Sequence, residues 1–375
     1  MNDRKKIFIS LNGNFYTDQR LLKVVKTLEN EFEICLFSKS IENLSRNNHN
    51  KIIEYRPYFL SGFFSIVEFN LRVFIFLLCK TNKESILLSN DLDTLLPNYL
   101  LKLLKNNKLV FDSHEIFSEL PYIRNNFVKN VWKFLEKNLI PKVDKFYTVS
   151  ESYAVWFEEN YHKKAEVISN FPLQSDYLNV GKTSYILPEK FILYQGYVSE
   201  FRGLEKAMFA MEFVENCKLV IIGNGPILQN LVELKENLTW KEKIIFIEKL
   251  LPEELRKITH LAEMGLSIED LHSESFKRTL PNKIFDYIQA EVPVVCSNFN
   301  DISSVFQQFN IGEIIENNDP KTLANAINNL LLKGKKFYSD DLQKAKKIYN
   351  WENQEDKLLE IFNFEKWKPN LHNEK

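Results

Sequence analysis

Short runs of β-branched and aromatic apolar residues alternate along this chain with longer segments in which apolar positions recur every three or four residues. The short runs have the length of strands buried on both faces, and the longer segments have the period of crossover helices. In the first half, strands are predicted at Lys6–Leu11, Phe32–Phe37, Ser85–Ser89, Lys108–Phe111 and Lys145–Val149, with helical stretches such as Asp18–Asn30 and Pro97–Leu104 between them. After Val167–Phe171 the chain turns polar and is interrupted by Pro172, Gly181 and Pro188, which reads as a linker over 173–190. The alternation restarts with Phe191–Tyr194, Cys217–Ile222, Lys243–Ile247, Met264–Ile268 and Val292–Ser297, and more weakly with Glu313–Ile315. Two such sets predict an α/β protein of two doubly wound, Rossmann-like domains, 1–172 and 191–339, facing a central cleft. A helical tail is expected over 340–375.

The longest apolar neighbourhood, Phe59 to Cys79, is interrupted by Glu68, Asn70 and Arg72. Its unbroken part, Val73 to Cys79, falls far short of the ~18–20 residues of a membrane span, so it reads as a buried helix. The opening MNDRKKIFISLNGN returns to polar residues too soon for a signal peptide and reads as a first strand. Lys+Arg number 49 against Asp+Glu 50, which removes the usual electrostatic argument for a nucleic-acid binder. With Gly 10 and Pro 12 in 375 residues, sharp turns are few, which argues against a many-stranded all-β or a disordered chain. The four cysteines, Cys35, Cys79, Cys217 and Cys296, are far apart and form no CxxC pair. Neither a zinc knuckle nor a disulfide framework is indicated, and a reducing cytoplasm fits.

Ligands of open parallel sheets bind beyond the carboxyl ends of the strands. That rule selects Asn12-Gly13-Asn14, Asn90-Asp91, Asp112-Ser113-His114-Glu115 and Ser150-Glu151-Ser152 in the first half. In the second it selects Gln195-Gly196-Tyr197, Gly223-Asn224-Gly225-Pro226, Glu248-Lys249 and Glu269 through Asn282. The paired glycines at 223 and 225 either let the backbone approach a ligand or simply permit a tight turn. They are not a GxGxxG dinucleotide fingerprint. Thr279-Leu280-Pro281-Asn282-Lys283 opens a helix whose free N–H groups and dipole suit an anion such as a diphosphate, with Lys277, Arg278 and Lys283 adding charge. The alternative is an ordinary capped helix with solvated lysines. Asp286, one turn further, could accept hydrogen bonds from sugar hydroxyls. His114, just past a strand end, reads as a cleft residue or as a structural hydrogen-bonder. Six histidines without HExxH or a spaced triplet argue against a protein metal site, and neither a GxSxG elbow nor a P-loop is present.

These pieces resemble the retaining, nucleotide-sugar-dependent glycosyltransferases of GT-B fold, glycosyl transferases group 1, of the bacterial surface-glycan type. The resemblance rests on Tyr194-Gln195-Gly196, Arg202-Gly203, Val220 through Pro226, Pro252-Glu253-Glu254-Leu255, and Leu280 through Tyr287 ahead of Val292-Pro293-Val294-Val295. The first half matches more loosely, through Thr17-Asp18-Gln19-Arg20, Asn90-Asp91 and Asp112-Ser113-His114-Glu115. The resemblance implies that Arg202 holds the donor diphosphate with help from Lys283, and that Asp286 binds the nucleotide ribose. It further implies that His114 faces the transferred sugar near its anomeric carbon, and that Gly13 lets its loop approach the donor. Gly223, Asn224, Gly225 and Asn282 would complete the donor site, with a UDP- or GDP-sugar as substrate, no cofactor and no divalent metal. The chain departs from the family at Tyr197, where an Arg is frequent, at Glu248, a place often held by Gly, and at Arg278, where the first carboxylate of a Glu-x7-Glu motif would fall. Glu269 or Glu274 would have to substitute for that carboxylate.

The implied activity is hexosyl transfer to a glycan or lipid-linked acceptor in cell-surface polysaccharide synthesis. A catalytically degenerate binding or scaffold protein and a UDP-sugar epimerase are the alternatives; two-lobed periplasmic binding proteins share the gross pattern but require export. Residues 124–142 read as an amphipathic helix, with Phe127, Val131, Leu135 and Phe134 on one side and Lys129, Lys133 and Lys137 on another. The lysine stripe is either a solvated face or a peripheral contact with anionic phospholipid on the inner face of the cell membrane.

Overall fold

The computed structural model describes residues 4–39, 51–59, 62–120, 123, 125–178, 180–270 and 277–364. The chain divides into two compact units, one formed by 1–169 together with 354–375 and the other by 170–353.

Unit one is a parallel seven-stranded sheet. Its strands are β1 (Lys6–Leu11), β2 (Glu33–Lys39), β3 (Lys51–Tyr55), β4 (Ile86–Asn90), β5 (Lys108–Ser113), β6 (Lys145–Thr148) and β7 (Glu166–Val167). The strand order is β3-β2-β1-β4-β5-β6-β7, so the winding reverses between β1 and β4. Apolar runs such as Ile86–Asn90 are buried along their whole length, because helices cover both faces of such a sheet. Helices Gly62–Lys80, Leu95–Lys105, Asn126–Leu139 and Glu151–Tyr161 send Phe69, Val73, Leu101, Trp132 and Phe157 into one shared core, as right-handed crossovers to one side require.

Unit two is a parallel six-stranded sheet of β8 (Phe191–Gln195), β9 (Lys218–Ile222), β10 (Ile244–Ile247), β11 (Met264–Ser267), β12 (Val294–Ser297) and β13 (Gly312–Ile315). Its order is β10-β9-β8-β11-β12-β13, with the reversal between β8 and β11.

Several expectations need correction. Strand β3 was not expected, since KIIEY is a short run with a charge at each side of its apolar pair, and it pairs only at the sheet edge. The proposed linker is part of unit two, where Tyr177 enters the core. The tail is not one element. Helix Lys335–Ile348 packs on unit two through Leu342 and Ala345, whereas helix Glu352–Phe362 returns to unit one. The Trp351 N–H, donating to the Pro172 carbonyl at 2.9 Å, marks the crossing. Beyond it, Thr27 Oγ1 donates to Glu355 at 3.1 Å and Phe362 meets Phe32 with ring centroids 6.2 Å apart.

Helix Gly62–Lys80 is not buried all round. Phe69, Val73 and Leu77 face the sheet, but Phe64, Leu71, Ile75 and Leu78 face outward. Helix Asn126–Leu139 is also turned relative to expectation: Trp132, Glu136 and Leu139 are buried, while Phe127, Val131 and Phe134 are exposed. Among the described residues no helix is long and apolar enough to cross a membrane.

Candidate functional site

In each unit the polar residues gather at the strand ends flanking the reversal of winding, where open α/β sheets bind ligands. In unit two the chain leaving β11 places Glu269 at 2% exposure between two cations. Lys283 Nζ lies 2.7 Å and Arg202 Nη1 3.1 Å from Glu269 Oε1, and Ser267 Oγ donates to Oε2 at 2.9 Å. Burial alone would raise the Glu269 carboxyl, but Lys283 and Arg202 outweigh it and hold the group below its ordinary value. Lys283 also sits 4.3 Å from the centre of the Tyr194 ring, a favourable cation–π distance.

The local chain explains these positions. Gly203 has φ +71°, and a Cβ there would run into the Ile268 carbonyl, so only glycine lets the loop after Arg202 lie against the end of β11. The Asp270 N–H donates to the Phe201 carbonyl at 2.7 Å and pins the same contact. Lys283 occupies the first turn of helix Asn282–Gln289, preceded by Pro281 and lacking any side-chain cap, which leaves its amino end open to an anion. Asn282 is exposed at that end. One turn on, Asp286 accepts from Tyr177 Oη at 2.9 Å and from Gln195 Nε2 at 3.5 Å, and Gln195 in turn accepts from Thr259 Oγ1 at 2.8 Å.

Gly223 and Gly225 have a reason of their own. A Cβ on Gly223 would collide with the Gly196 carbonyl, and one on Gly225 with the backbone of Val198. The loop they belong to is laced to its neighbour by the Val198 N–H donating to the exposed Asn224 at 2.9 Å. Close packing of two loops therefore accounts for both glycines without a ligand. Tyr197 is exposed and Arg278 half-buried. Glu274 lies outside the described residues.

In unit one His114 is held between two carboxylates. Nδ1 is 3.2 Å from Asp91 Oδ2 and Nε2 is 3.1 Å from Asp112 Oδ2, the latter a charge contact without hydrogen-bond geometry. The His114 N–H also donates to Asp91 Oδ1 at 2.8 Å. Asp112 is fully buried and receives Arg20 in a fork, Nε at 3.2 Å and Nη2 at 2.9 Å. Burial would lower His114, yet Asp91 and Asp112 outweigh it and raise the imidazole to about 9. Burial would raise Asp112, but Arg20 and His114 bring it to about 2. Asp91 moves the other way, pushed by burial up to about 7 against the pull of His114. Its backbone, φ 67° and ψ 166°, lies in a region that is essentially glycine's, so a strained residue presents this carboxylate to the histidine.

Beside them Asn12 Nδ2 donates to Asp93 at 2.6 Å, and Lys39, buried, donates from Nζ to Ser65 Oγ at 3.0 Å. Gly13 follows Asn12, its carbonyl accepting the Lys39 N–H at 3.1 Å. Sequence reasoning selected these loops, Gln195 among them, but assigned no partner to His114 and did not place Tyr177 or Gln195 beside Asp286. The available signal was the placement of Asp91 and Asp112 at the ends of adjacent strands. Of the three lysines on helix Asn126–Leu139, Lys129 and Lys133 share Glu119, at 3.1 and 3.5 Å.

Comparison with known proteins now bears on this geometry. A family model described as glycosyl transferases group 1 matches residues 182–348. Chitobiosyldiphosphodolichol beta-mannosyltransferase of Kluyveromyces lactis is 30% identical over 88 residues, which span 24% of this chain and 19% of that enzyme. Anabaena HepE, solved in complex with UDP, superposes with a TM-score of 0.74 at 12% identity, covering 96% of this chain and 99% of its own. Sucrose-phosphate synthase from Thermosynechococcus elongatus gives 0.76 at 13% identity, covering 96% and 98%. At such identities the structures establish the fold, which is GT-B. The family model covers nearly all of the second unit, and it is that unit which is similar to the glycosyl transferases group 1 family.

Proposed function

We propose that this protein transfers a hexose from a nucleoside diphosphate sugar to a glycan or lipid-linked acceptor, with retention of anomeric configuration and without a divalent metal. The observation that carries the reading is the convergence of Lys283 and Arg202 on one buried carboxylate at the open start of a helix. Two cations against one carboxylate leave a net positive charge there, and a departing diphosphate is stabilised by donors already in place. Asp286, steadied by Tyr177 and Gln195, is assigned the ribose hydroxyls. UDP or UDP-glucose accompanies Anabaena HepE in its solved complexes, which favours a uridine donor by analogy.

The proposal assigns the acceptor side to unit one. With both ring nitrogens against carboxylates, His114 is a cation and a hydrogen-bond donor rather than a base. It is therefore assigned a charge role beside the sugar rather than proton transfer. Cytoplasmic action in cell-surface polysaccharide synthesis belongs to the same proposal and rests on resemblance. The scaffold alternative draws on Tyr197 and Arg278 standing where the family has Arg and Glu.

The test is incubation with UDP- and GDP-hexoses and simple glycoside acceptors in excess EDTA, followed by NMR of the anomeric proton. Transfer with the donor's configuration is expected at an undiminished rate. An inverted product contradicts retention, loss of activity in EDTA contradicts metal independence, and no turnover with any pair supports the scaffold.

A further inference from the structure

We propose that the strand ends of unit one form an extended subsite for a neutral oligosaccharide, running from His114 to an aromatic platform at Tyr58 and Phe59 on the loop after β3. This deepens the reading above, on which it rests for calling the bound glycan an acceptor, by naming the kind of acceptor and the residues that sense its length.

Sheet order brings the subsite together. Between β5 and β3 lie β4, β1 and β2, and the carboxyl ends of parallel strands share one edge, where ligands bind. His114 follows β5, Asp91 and Asp93 follow β4, Asn12 follows β1, Lys39 ends β2, and Tyr58 stands just beyond β3. Contacts link them without a break. Asn12 Nδ2 donates to Asp93 at 2.6 Å, and Asp93 lies within electrostatic reach of both Lys39 and His114. Lys39 Nζ donates to Ser65 Oγ at 3.0 Å near the start of helix Gly62–Lys80. Glu68, on the next turn, accepts the N–H groups of Tyr58 and Phe59, both at 3.0 Å. The ends of β5 and β3 are four strand spacings apart, roughly 19 Å. That span exceeds a single hexose and lies within reach of a tetrasaccharide.

The track holds hydrogen-bonding capacity that the protein does not use. Asn90, 3% exposed, and Asn12 each carry a buried side-chain carbonyl oxygen with no partner among the described residues. The buried Lys39 ammonium has three protons to give and, among the described residues, one hydrogen bond, to Ser65. Amide carbonyls beside an ammonium and a carboxylate match sugar hydroxyls, which donate and accept at once. Lys39 and His114 stand against Asp91 and Asp93, so the track presents no net charge and favours a neutral glycan over a phosphorylated or uronic one.

The platform is exposed yet fixed. Tyr58 is 83% exposed, and Arg72, bridged to Glu68 at 2.9 Å, sits 5.2 Å from the centre of its ring and 4.9 Å from that of Tyr55. Phe59 and Phe64, both exposed, extend it with ring centroids 5.6 Å apart. A pyranose has a C–H face that stacks on an aromatic ring and a hydroxyl rim that meets polar groups, the combination found along this edge. A lipid tail would meet polar groups at every strand end between Tyr58 and His114, which opposes that occupant.

The test is saturation-transfer NMR on the full chain without nucleotide, titrated with malto-, cello- and manno-oligosaccharides of one to five hexoses. In one series the dissociation constant is expected to fall at least tenfold between monosaccharide and tetrasaccharide. Tyr58→Ala should abolish that gain with little change in melting temperature, because the ring is exposed, and Tyr58→Trp should keep it. Equal affinity at every length, no binding in any series, or a gain that survives Tyr58→Ala overturns the proposal. Phosphatidylcholine vesicles retained by wild type and released by Tyr58→Ala, with no sugar bound, also overturn it, in favour of lipid. Sugar binding is read without donor, so its failure leaves the diphosphate site standing. A chain that binds the oligosaccharide but never responds to nucleotide keeps the platform and loses the transferase reading.

Discussion

Replacing Lys283 by Met is expected to slow sugar transfer by roughly 10²–10³-fold, the size of effect seen when one donor to a developing negative charge is removed. The same change should destabilise unit two by roughly 2–3 kcal/mol. Breaking a buried ion pair commonly costs about 3–5 kcal/mol, and here Arg202 and Ser267 remain to hold Glu269. The two effects are separable. Adding Glu269→Gln removes the carboxylate that Lys283 would leave behind, so the double variant should regain most of the lost stability. It should not regain the rate, because the cation proposed to meet the diphosphate is still absent. Thermal melting and single-turnover transfer on the same preparations check this. A double variant that recovers both would show that Lys283 serves only the fold.

The melting temperature is expected to fall as pH rises from about 6.5 to above 9. His114 has its folded value raised to about 9, above the ordinary value of about 6.5, so its stabilising contribution is full below the lower figure and is lost on passing the higher. Asp91, raised from 3.8 to about 7, acts in the same sense over a lower window, its contribution being lost between those two values and complete before the histidine's fall ends. Asp112, brought to about 2, contributes only at the acid end, where stability is lost as pH falls below its ordinary range. His114→Gln should flatten the alkaline fall. Arg20→Ala should not flatten it, but should lower stability at every pH above about 4, by roughly 3–5 kcal/mol, since it strips the fork from a fully buried carboxylate. An alkaline profile equally steep in His114→Gln would contradict the assigned charge.

The parallel strands were legible because both their faces are covered, so their sequences are nearly unbroken apolar runs. Lys6–Leu11 and Cys217–Ile222 show this, the first matching β1 end to end and the second β9 to within a residue. Where only one side is covered, sequence is ambiguous. Helix Gly62–Lys80 is apolar over most of its circumference, and its few polar residues do not separate Phe69 and Val73, which meet the sheet, from Leu71 and Leu78, which do not. The division of the tail depends on Trp351 and Phe362 finding partners far away in sequence, Pro172 and Phe32. At the candidate site, strand ends could be located from the pattern and brought His114 into view, whereas Lys283 came from the helix start and Arg202 from the family resemblance alone. That Glu269 lies between two cations, or that His114 lies between two carboxylates, depends on which strands are neighbours. Strand order is not written in local periodicity.

The central claim is a nucleotide diphosphate held by Arg202 and Lys283, and its most direct measurement is a melting titration with UDP, GDP and their hexose conjugates. It should be run on the wild-type chain and on the Lys283→Met/Glu269→Gln variant. A bound nucleotide at 100 times its dissociation constant adds about 2.7 kcal/mol, a shift of roughly 5–10 °C for a unit of this size. One base is expected to produce that shift in the wild type, and the variant should need far more nucleotide to reach it. No shift with either base in the wild type, or an equal shift in the variant, would contradict the account.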